Sequence, residues 1–153
     1  MNNSHAMTMM VMAGGTGGHV FPALAVADAL RQQDVDIEWL GTGRGIENTV
    51  VPAANIPLHH LHVEGVRGKG FIGLLKAPFL ILLAIAQAIS VFKKVKPDVV
   101  IGFGGFASGP GGIAAKLLGK PLIIHEQNAP YAILCGLKCK LIDTTINEDD
   151  IIL

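Results

Sequence analysis

The stretch that decides the fold is TMMVMAGGTGGH at residues 8–19. Residues 8–13 form a short apolar run that predicts a buried β-strand, and Gly14 and Gly15 then predict a tight turn. Residues 22–33 carry an apolar face at helical spacing, which predicts an α-helix. Glycines between a strand and a helix permit positive φ angles and let backbone N–H groups approach a ligand. The helix dipole favours negative charge at that point, so the motif predicts an anion-binding turn.

The rest of the chain repeats this alternation of strand and helix. Further strands are predicted at residues 35–40, 58–63, 98–102 and 121–125. Further helices are predicted at residues 46–54, 71–95 and 108–118, the last of them capped by Gly119. Such alternation predicts a doubly wound, Rossmann-like α/β domain with a parallel sheet and right-handed crossovers. We assign this domain to residues 8–142 and treat residues 143–153 as an acidic tail of unknown role.

Glycine-rich or polar segments follow all the predicted strands. They are residues 14–19, 41–44, 65–70, 102–108 and 125–128. In doubly wound folds, ligands bind outside the carboxyl ends of the strands, so these segments are expected to meet at one edge of the sheet, here called the carboxyl edge. Two glycine turns at one edge suggest a ligand with a diphosphate group.

Other interpretations of the first turn remain open. A dinucleotide site needs G-x-G-x-x-G and an acidic residue after the second strand, but Val20 and Gly41 occupy those positions. A P-loop needs a lysine after its glycine, and His19 stands there instead. The turn could also hold no ligand. His19, at the start of a helix, is either a neutral proton acceptor or a side chain that only hydrogen-bonds the turn.

The composition of the chain argues against several classes of protein. The net charge of zero argues against a general nucleic-acid binder. The two cysteines predict free thiols on one helix face in a reducing compartment, and no cluster predicts a metal site. Residues 1–7 lack the basic start and long apolar run of a secretory signal. Together these features predict a cytoplasmic protein.

The predicted helix at residues 71–95 is apolar enough to suggest contact with lipid. A transmembrane helix is one interpretation, but the segment lies between two strands of one sheet. A crossover helix buried on both sides is another. We favour binding to the surface of an anionic membrane, with basic residues near the head groups. The side chains assigned to this contact are Ile72, Leu75, Lys76, Phe79, Leu80, Leu83, Arg67 and Lys69.

Four strings in the chain also carry a family resemblance. They are GGTGGHVFPALAVA from Gly14, GVRGKG from Gly65, PDVVIGFGGFASGPGGIAA from Pro97 and HEQNA from His125. In order and approximate spacing they resemble the MurG family of N-acetylglucosaminyltransferases, over residues 9–129. The resemblance implies two Rossmann-like domains of the GT-B type. Only the N-terminal, acceptor-binding half matches these 153 residues, and the C-terminal domain is absent from them.

The family resemblance also implies a reaction and its substrates. N-acetylglucosamine is transferred with inversion from UDP-N-acetylglucosamine to the C4 hydroxyl of the muramyl sugar of lipid I, which gives lipid II for the cell wall. No cofactor is implied. The location implied is the cytoplasmic face of the bacterial inner membrane. A non-catalytic acceptor half that needs a separate donor-binding partner is the alternative.

The resemblance assigns roles to residues of this chain. Thr16, Gly17, Gly18 and Asn128 are expected to contact the donor, and His19, Glu126 and Gln127 to lie in the cleft. We assign the general base to His19, with Glu126 as its rival. The remaining candidates are expected to hold the diphosphate of lipid I, and they are Gly14, Gly15, Gly104, Gly105 and Ser108. Phe106 stands where the family usually has tyrosine, so a hydrogen bond from that hydroxyl would be missing.

Overall fold

The computed structural model describes residues 6–62, 70–125 and 140–141, with the backbone alone for residues 70–76 and 140–141. Strands and helices alternate along these segments. The strands are β1 (Thr8–Ala13), β2 (Asp36–Thr42), β3 (Leu58–Leu61), β4 (Val99–Gly104), β5 (Leu122–Ile124) and β6 (Lys140–Leu141). The helices are α1 (Gly17–Arg31), α2 (Glu47–Ala53), α3 (Gly70–Val95) and α4 (Ser108–Leu117).

The strands form one sheet in the order β3-β2-β1-β4-β5-β6, and each pair is parallel. This order matches the Rossmann arrangement, in which the chain reverses its direction of travel across the sheet beside the first strand. The reversal places β1 next to β4, and both predicted glycine turns follow these two central strands. The predicted α/β class and parallel sheet are confirmed.

Alternating side chains of β1 build two separate cores. Met9, Val11 and Ala13 lie on one face with buried residues of α1 and α2, such as Ala23 and Val51. Burial of apolar residues on both sides of a strand is typical of a parallel sheet covered by helices on each face. On the opposite face, β1 packs against α3 and α4. The buried residues of that second core include Met10, Met12, Ala88, Phe92, Ala114 and Ala115.

The junction between α3 and β4 is short and tightly held. The helix ends at Val95, and Lys96 takes a left-handed φ of 57° while its N–H donates to the carbonyl of Phe92 at 2.8 Å. Pro97 is buried and stops the helical hydrogen-bond pattern. The N–H of Asp98 then donates to the carbonyl of Thr8 at 2.8 Å, which aligns the start of β4 with β1.

Several predicted boundaries were wrong, for identifiable reasons. α1 begins at Gly17 rather than residue 22, because the glycines and His19 already form its first turn. Strands β2 and β4 each continue two residues beyond the predicted ends, since their final glycine and threonine residues still pair with neighbouring strands. Gly70, predicted as the end of a loop, is the first residue of α3.

Other boundaries agree with prediction or lie outside the described residues. β1 matches residues 8–13, and α4 begins at the predicted residue 108. Gly119 follows that helix with a φ of 64°, as expected of a glycine that ends a helix. β6 was not predicted. The predicted basic loop from residue 65, the cysteine pair and the acidic tail fall outside the described residues.

Candidate functional site

The turn between β1 and α1 presents backbone N–H groups at the carboxyl edge. Gly15 has a φ of 93°, which only glycine adopts readily. Thr16, the N-cap of α1, is extended and makes no side-chain capping bond. Within the described chain the N–H groups of Gly17 and Gly18 meet no carbonyl, as expected for the first turn of a helix. No acidic residue lies in that turn, so the helix dipole leaves this end attractive to an anion.

The turn between β4 and α4 has the same architecture. Gly104 and Gly105 have φ angles of 105° and 83°. The N–H of Gly104 donates to Oγ of Ser108 at 3.1 Å, and this hydroxyl lies 3.0 Å from the carbonyl of Met12 and 2.8 Å from that of Gly104. Its single proton therefore bonds to protein backbone. Gly109, exposed in the first turn of α4, presents a further N–H at this edge.

The two turns are in direct contact. A methyl group built on Gly105 would collide with the carbonyl of Gly14, so the two backbones touch with no room for a side chain. A methyl group on Gly104 would lie 2.6 Å from Nδ1 of His19, so the imidazole lies across the second turn. The predicted meeting of the two turns at one sheet edge is confirmed. His19 is half-buried between them.

The internal bonding changes which backbone groups are available to a ligand. Gly15 gives its N–H to Oε2 of Glu47 at 2.9 Å, and Gly104 gives its N–H to Ser108. These two N–H groups are therefore engaged by the protein. The N–H groups of Gly17, Gly18 and Gly109 remain as ligand donors at the starts of α1 and α4. Gly109 was not among the predicted site residues.

Glu47 is the main feature of the site that sequence reasoning missed. Its side chain is fully buried at the start of α2, on the far side of the first glycine turn. Besides the N–H of Gly15, its carboxylate accepts from Thr42 twice, from the backbone N–H at 3.1 Å and from Oγ1 at 2.9 Å. The contact with Gly15 spans 32 residues of sequence, and no motif in the chain indicated it.

Asn48, the next residue, braces the loop after β2. Its side-chain amide donates to the carbonyls of Thr42 and Gly45, each at 2.9 Å. Its Oδ1 lies 2.7 Å from Nε2 of His60 on β3, and an acceptor there requires that this ring nitrogen carry the proton. The polar segment after β2 is thus bound to both neighbouring elements rather than projecting freely.

Residues predicted at the end of β5 are only partly described. The N–H of His125 donates to the carbonyl of Gly102 at 2.8 Å, and its ring centroid lies 5.1 Å from that of Phe103. Glu126, Gln127 and Asn128 lie outside the described residues, so their roles stay predictions. Among residues 6–62 and 70–125 there is no group of three side chains suited to hold a metal ion.

A polar cavity of about 290 Å³ lies at the opposite edge of the sheet. Its walls include Thr8 and Asp36 at the starts of strands and Arg31 at the end of α1. Ligands of doubly wound folds bind beyond the carboxyl ends of the strands. We therefore place the functional site at the glycine turns and not in this cavity.

An exposed apolar surface runs over α3 and α4, which pack against each other. Its members are large apolar side chains with 41–76% of their area exposed: Phe79, Ile81, Leu82, Leu83, Ile113 and Leu117. The opposite side of α3 buries Ala84, Ala88 and Phe92, so the described helix is not buried on both sides. Residues 77–95 are long and apolar enough to cross a bilayer by length and composition. Lys93 and Lys94 are exposed in the last turn of the helix.

The predicted lipid-contacting residues are described in part. Phe79 is 76% exposed, Leu83 is 49% exposed and Leu80 is half-buried. Ile72, Leu75 and Lys76 lie on the backbone of α3, outside the residues whose side chains are described. Arg67 and Lys69 lie outside the described residues altogether.

The sheet order, with paired glycine turns at the reversal point, defines a Rossmann-like domain with its ligand site expected at those turns. The solved glycosyltransferase SnogD from Streptomyces nogalater shares this fold, with a TM-score of 0.60 at 18% identity over 79% of this chain and 34% of that one. Residues 9–134 match the glycosyltransferase family 28 N-terminal domain, and the chain belongs to that family.

Two similar proteins have longer chains. A Cellvibrio japonicus protein, 69% identical over 80% of this chain, is named UDP-N-acetylglucosamine–N-acetylmuramyl-(pentapeptide) pyrophosphoryl-undecaprenol N-acetylglucosamine transferase. The crystal structure of Acinetobacter baumannii MurG matches 88% of this chain with a TM-score of 0.75 and 50% identity. This chain covers 34% of the first protein and 40% of the second.

Proposed function

We propose that the chain is the acceptor-binding and membrane-binding part of an inverting N-acetylglucosaminyltransferase of peptidoglycan synthesis. The reaction moves N-acetylglucosamine from UDP-N-acetylglucosamine to the C4 hydroxyl of the muramyl sugar of lipid I. The product is lipid II, a precursor of the cell wall. The contact between the two glycine turns carries this proposal, because the turns lead into two helix N-termini at the same edge of the sheet. The 69% identity to a protein named for this reaction supports the choice of substrates.

The diphosphate of lipid I is bound, in this proposal, at the starts of α1 and α4. The N–H groups of Gly17, Gly18 and Gly109 are proposed to donate to its phosphate oxygens, because those of Gly15 and Gly104 already bond within the protein. This differs from the family resemblance, which assigns Thr16, Gly17 and Gly18 to the donor. Each helix adds about half a positive charge at its N-terminus, so two helix ends offset about one of the negative charges. Thr16, exposed at the N-cap of α1, adds a hydroxyl donor at the same edge.

His19 is the proposed general base. Its ring lies across Gly104, between the turns, and no partner among the described residues hydrogen-bonds to it. A neutral ring nitrogen removes the proton from the C4 hydroxyl as the oxygen attacks the anomeric carbon. The bond from that carbon to the UDP oxygen breaks on the opposite face, which inverts the configuration. Glu126 remains the alternative candidate for the general base.

The reaction is tested by measuring UDP release from UDP-N-acetylglucosamine and lipid I. The chain is assayed alone and with a separately supplied C-terminal domain of the Cellvibrio japonicus relative. We expect release in the mixture, and an H19A variant with kcat lowered by about 10²- to 10⁴-fold, the usual contribution of a general base. Absence of UDP release from the mixture would contradict the proposed reaction, and full activity of H19A would return the role of base to Glu126.

The apolar surface of α3 and α4 is the proposed site of membrane contact. α3 connects two strands of one sheet and buries Phe92 in the core, so the helix lies on the membrane rather than crossing it. Lys93, Lys94 and Lys116 are exposed on the same two helices and supply positive charge for anionic head groups. This location suits an acceptor whose lipid tail stays in the cytoplasmic leaflet.

Sedimentation with anionic vesicles tests the membrane contact. Leu82 is 63% exposed on α3 and Phe21 is 57% exposed on α1, so L82E and F21E form a matched pair. We expect L82E to weaken binding by about tenfold or more, because a large apolar side chain leaves the lipid, and F21E to bind as the unsubstituted chain does. Equal loss in both variants would contradict this contact, and binding unchanged by 1 M salt would contradict the electrostatic part of it.

A further inference from the structure

Glu47 is a fully buried carboxylate that three glycines surround. A methyl group on Gly14 would lie 2.6 Å from its Oε1, and one on Gly41 would lie 2.9 Å from its Cγ. A methyl group on Gly45 would overlap the carboxylate itself. These glycines come from the ends of β1 and β2 and from the loop before α2. The backbone therefore leaves a space shaped for this one side chain.

The donors around Glu47 suit an ionised carboxylate. Both carboxylate oxygens are used, Oε2 by the N–H of Gly15 and Oε1 by the N–H and hydroxyl of Thr42. All three groups are donors toward Glu47. A carboxylate accepts at both oxygens, whereas an amide in its place keeps one acceptor oxygen and would direct its NH2 group at the donors of the other. A buried charge is tolerated when hydrogen bonds satisfy it in this way.

The hydrogen bond from Gly15 to Glu47 affects the proposed ligand-binding N–H groups indirectly. It fixes the peptide group that joins Gly14 to Gly15, and Gly15 lies two residues before the first residue of α1. Gly15 has a φ of 93°, a conformation in which the backbone depends on the freedom of glycine. With this peptide fixed, the N–H groups of Gly17 and Gly18 hold one direction at the carboxyl edge. Thr42 extends the same restraint to the end of β2.

We propose that Glu47 is a positioning residue for the anion-binding turn. Its side chain is fully buried, and it orients the N–H groups of Gly17 and Gly18 by holding Gly15 against the end of β2. The part of this inference that concerns anion binding rests on the proposed function; the part that concerns the orientation of the N–H groups does not.

The experiment compares E47Q with V51A in the complete 153-residue chain. Val51 is fully buried on the same helix, one turn beyond Glu47, and contacts the apolar core. V51A therefore lowers stability through a cavity without removing a polar contact to the turn. Backbone amide NMR resonances of Gly15, Gly17 and Gly18 report the geometry of the turn, and titration with inorganic pyrophosphate reports anion binding.

We expect E47Q to move the resonances of all three glycines and to weaken pyrophosphate binding on the order of tenfold, the effect of about one misdirected charge-assisted hydrogen bond. V51A is expected to leave both readouts unchanged. The T42V variant, which removes only the hydroxyl donor, serves if E47Q does not fold. It is expected to move the same resonances by less.

The outcomes separate this inference from the proposed function. If the unsubstituted chain binds no pyrophosphate, the proposed anion site is wrong, and the NMR resonances alone then decide the role of Glu47. If Gly17 and Gly18 keep their resonances in E47Q, or move equally in V51A, Glu47 is only a structural residue and the inference is overturned.

Discussion

The β1–α1 turn and the β4–α4 turn lead from adjacent strands into helices, but they are held in different ways. A carboxylate from α2, 32 residues away in sequence, secures the first turn at Gly15. The second turn is secured by the hydroxyl of Ser108, four residues after Gly104, which also lies 3.0 Å from the carbonyl of Met12 on β1. The first turn thus depends on the packing of another element, whereas the second is closed by a residue of its own motif. The difference shows that two similar sequence motifs can be stabilised by residues at different distances along the chain.

The contact between the turns is the most sensitive point of this comparison. G105A combines a left-handed backbone with a collision against the carbonyl of Gly14, neither of which a side-chain rotation can relieve. We expect a loss of about 3–4 kcal/mol in the free energy of unfolding, measured by urea denaturation. G109A is the control, since nothing lies within 4 Å of its added methyl group. A G105A domain as stable as G109A would show that the turns do not touch.

A second pair of variants compares the turns themselves. Gly15 and Gly104 both have positive φ, but only Gly104 has a side chain, His19, against it. We expect G15A to lose about 2 kcal/mol from backbone strain and G104A to lose about 3 kcal/mol, because the imidazole must also move. Urea denaturation of both variants tests the ranking. Equal losses would mean that His19 does not lie across the second turn.

The smallest expected difference in stability is between variants of Ser108 and Glu47, the two residues that support the turns. S108A removes a neutral hydroxyl and is expected to lower the free energy of unfolding by about 1 kcal/mol, whereas E47Q is expected to lower it by about 2 kcal/mol because its lost bonds involve a charged group. The two variants are compared by urea denaturation under one set of conditions. A larger loss in S108A would reverse the assigned importance of the supports.

The sequence predicted the features that depend on neighbouring residues. The apolar run and glycines at residues 8–19 fixed β1 and its turn, and the alternation of elements predicted the parallel sheet. The range predicted for α1 began at residue 22, although His19 was placed at the start of the helix, because glycine has low helix propensity and Gly17 and Gly18 resembled a loop. Their position at a helix N-terminus follows from the packing around them.

Two other features needed three-dimensional information. The role of Glu47 depends on α2 packing behind the first turn, and sequence spacing of 32 residues does not reveal that contact. The burial of α3 was also ambiguous, since its apolar residues occupy every side. The structure separates them, with Ala84, Ala88 and Phe92 in the core and Phe79 and Leu82 exposed.

The helix α3 and the strand β4 that follows it differ in length. The helix has 26 residues and is about 39 Å long, while the six residues of β4 span about 20 Å. The helix is therefore about 19 Å longer than the strand that follows it across the short junction at Lys96. Its burial changes along that length, since Ala84, Ala88 and Phe92 in the second half are buried, whereas Phe79 and Leu82 nearer its start are exposed.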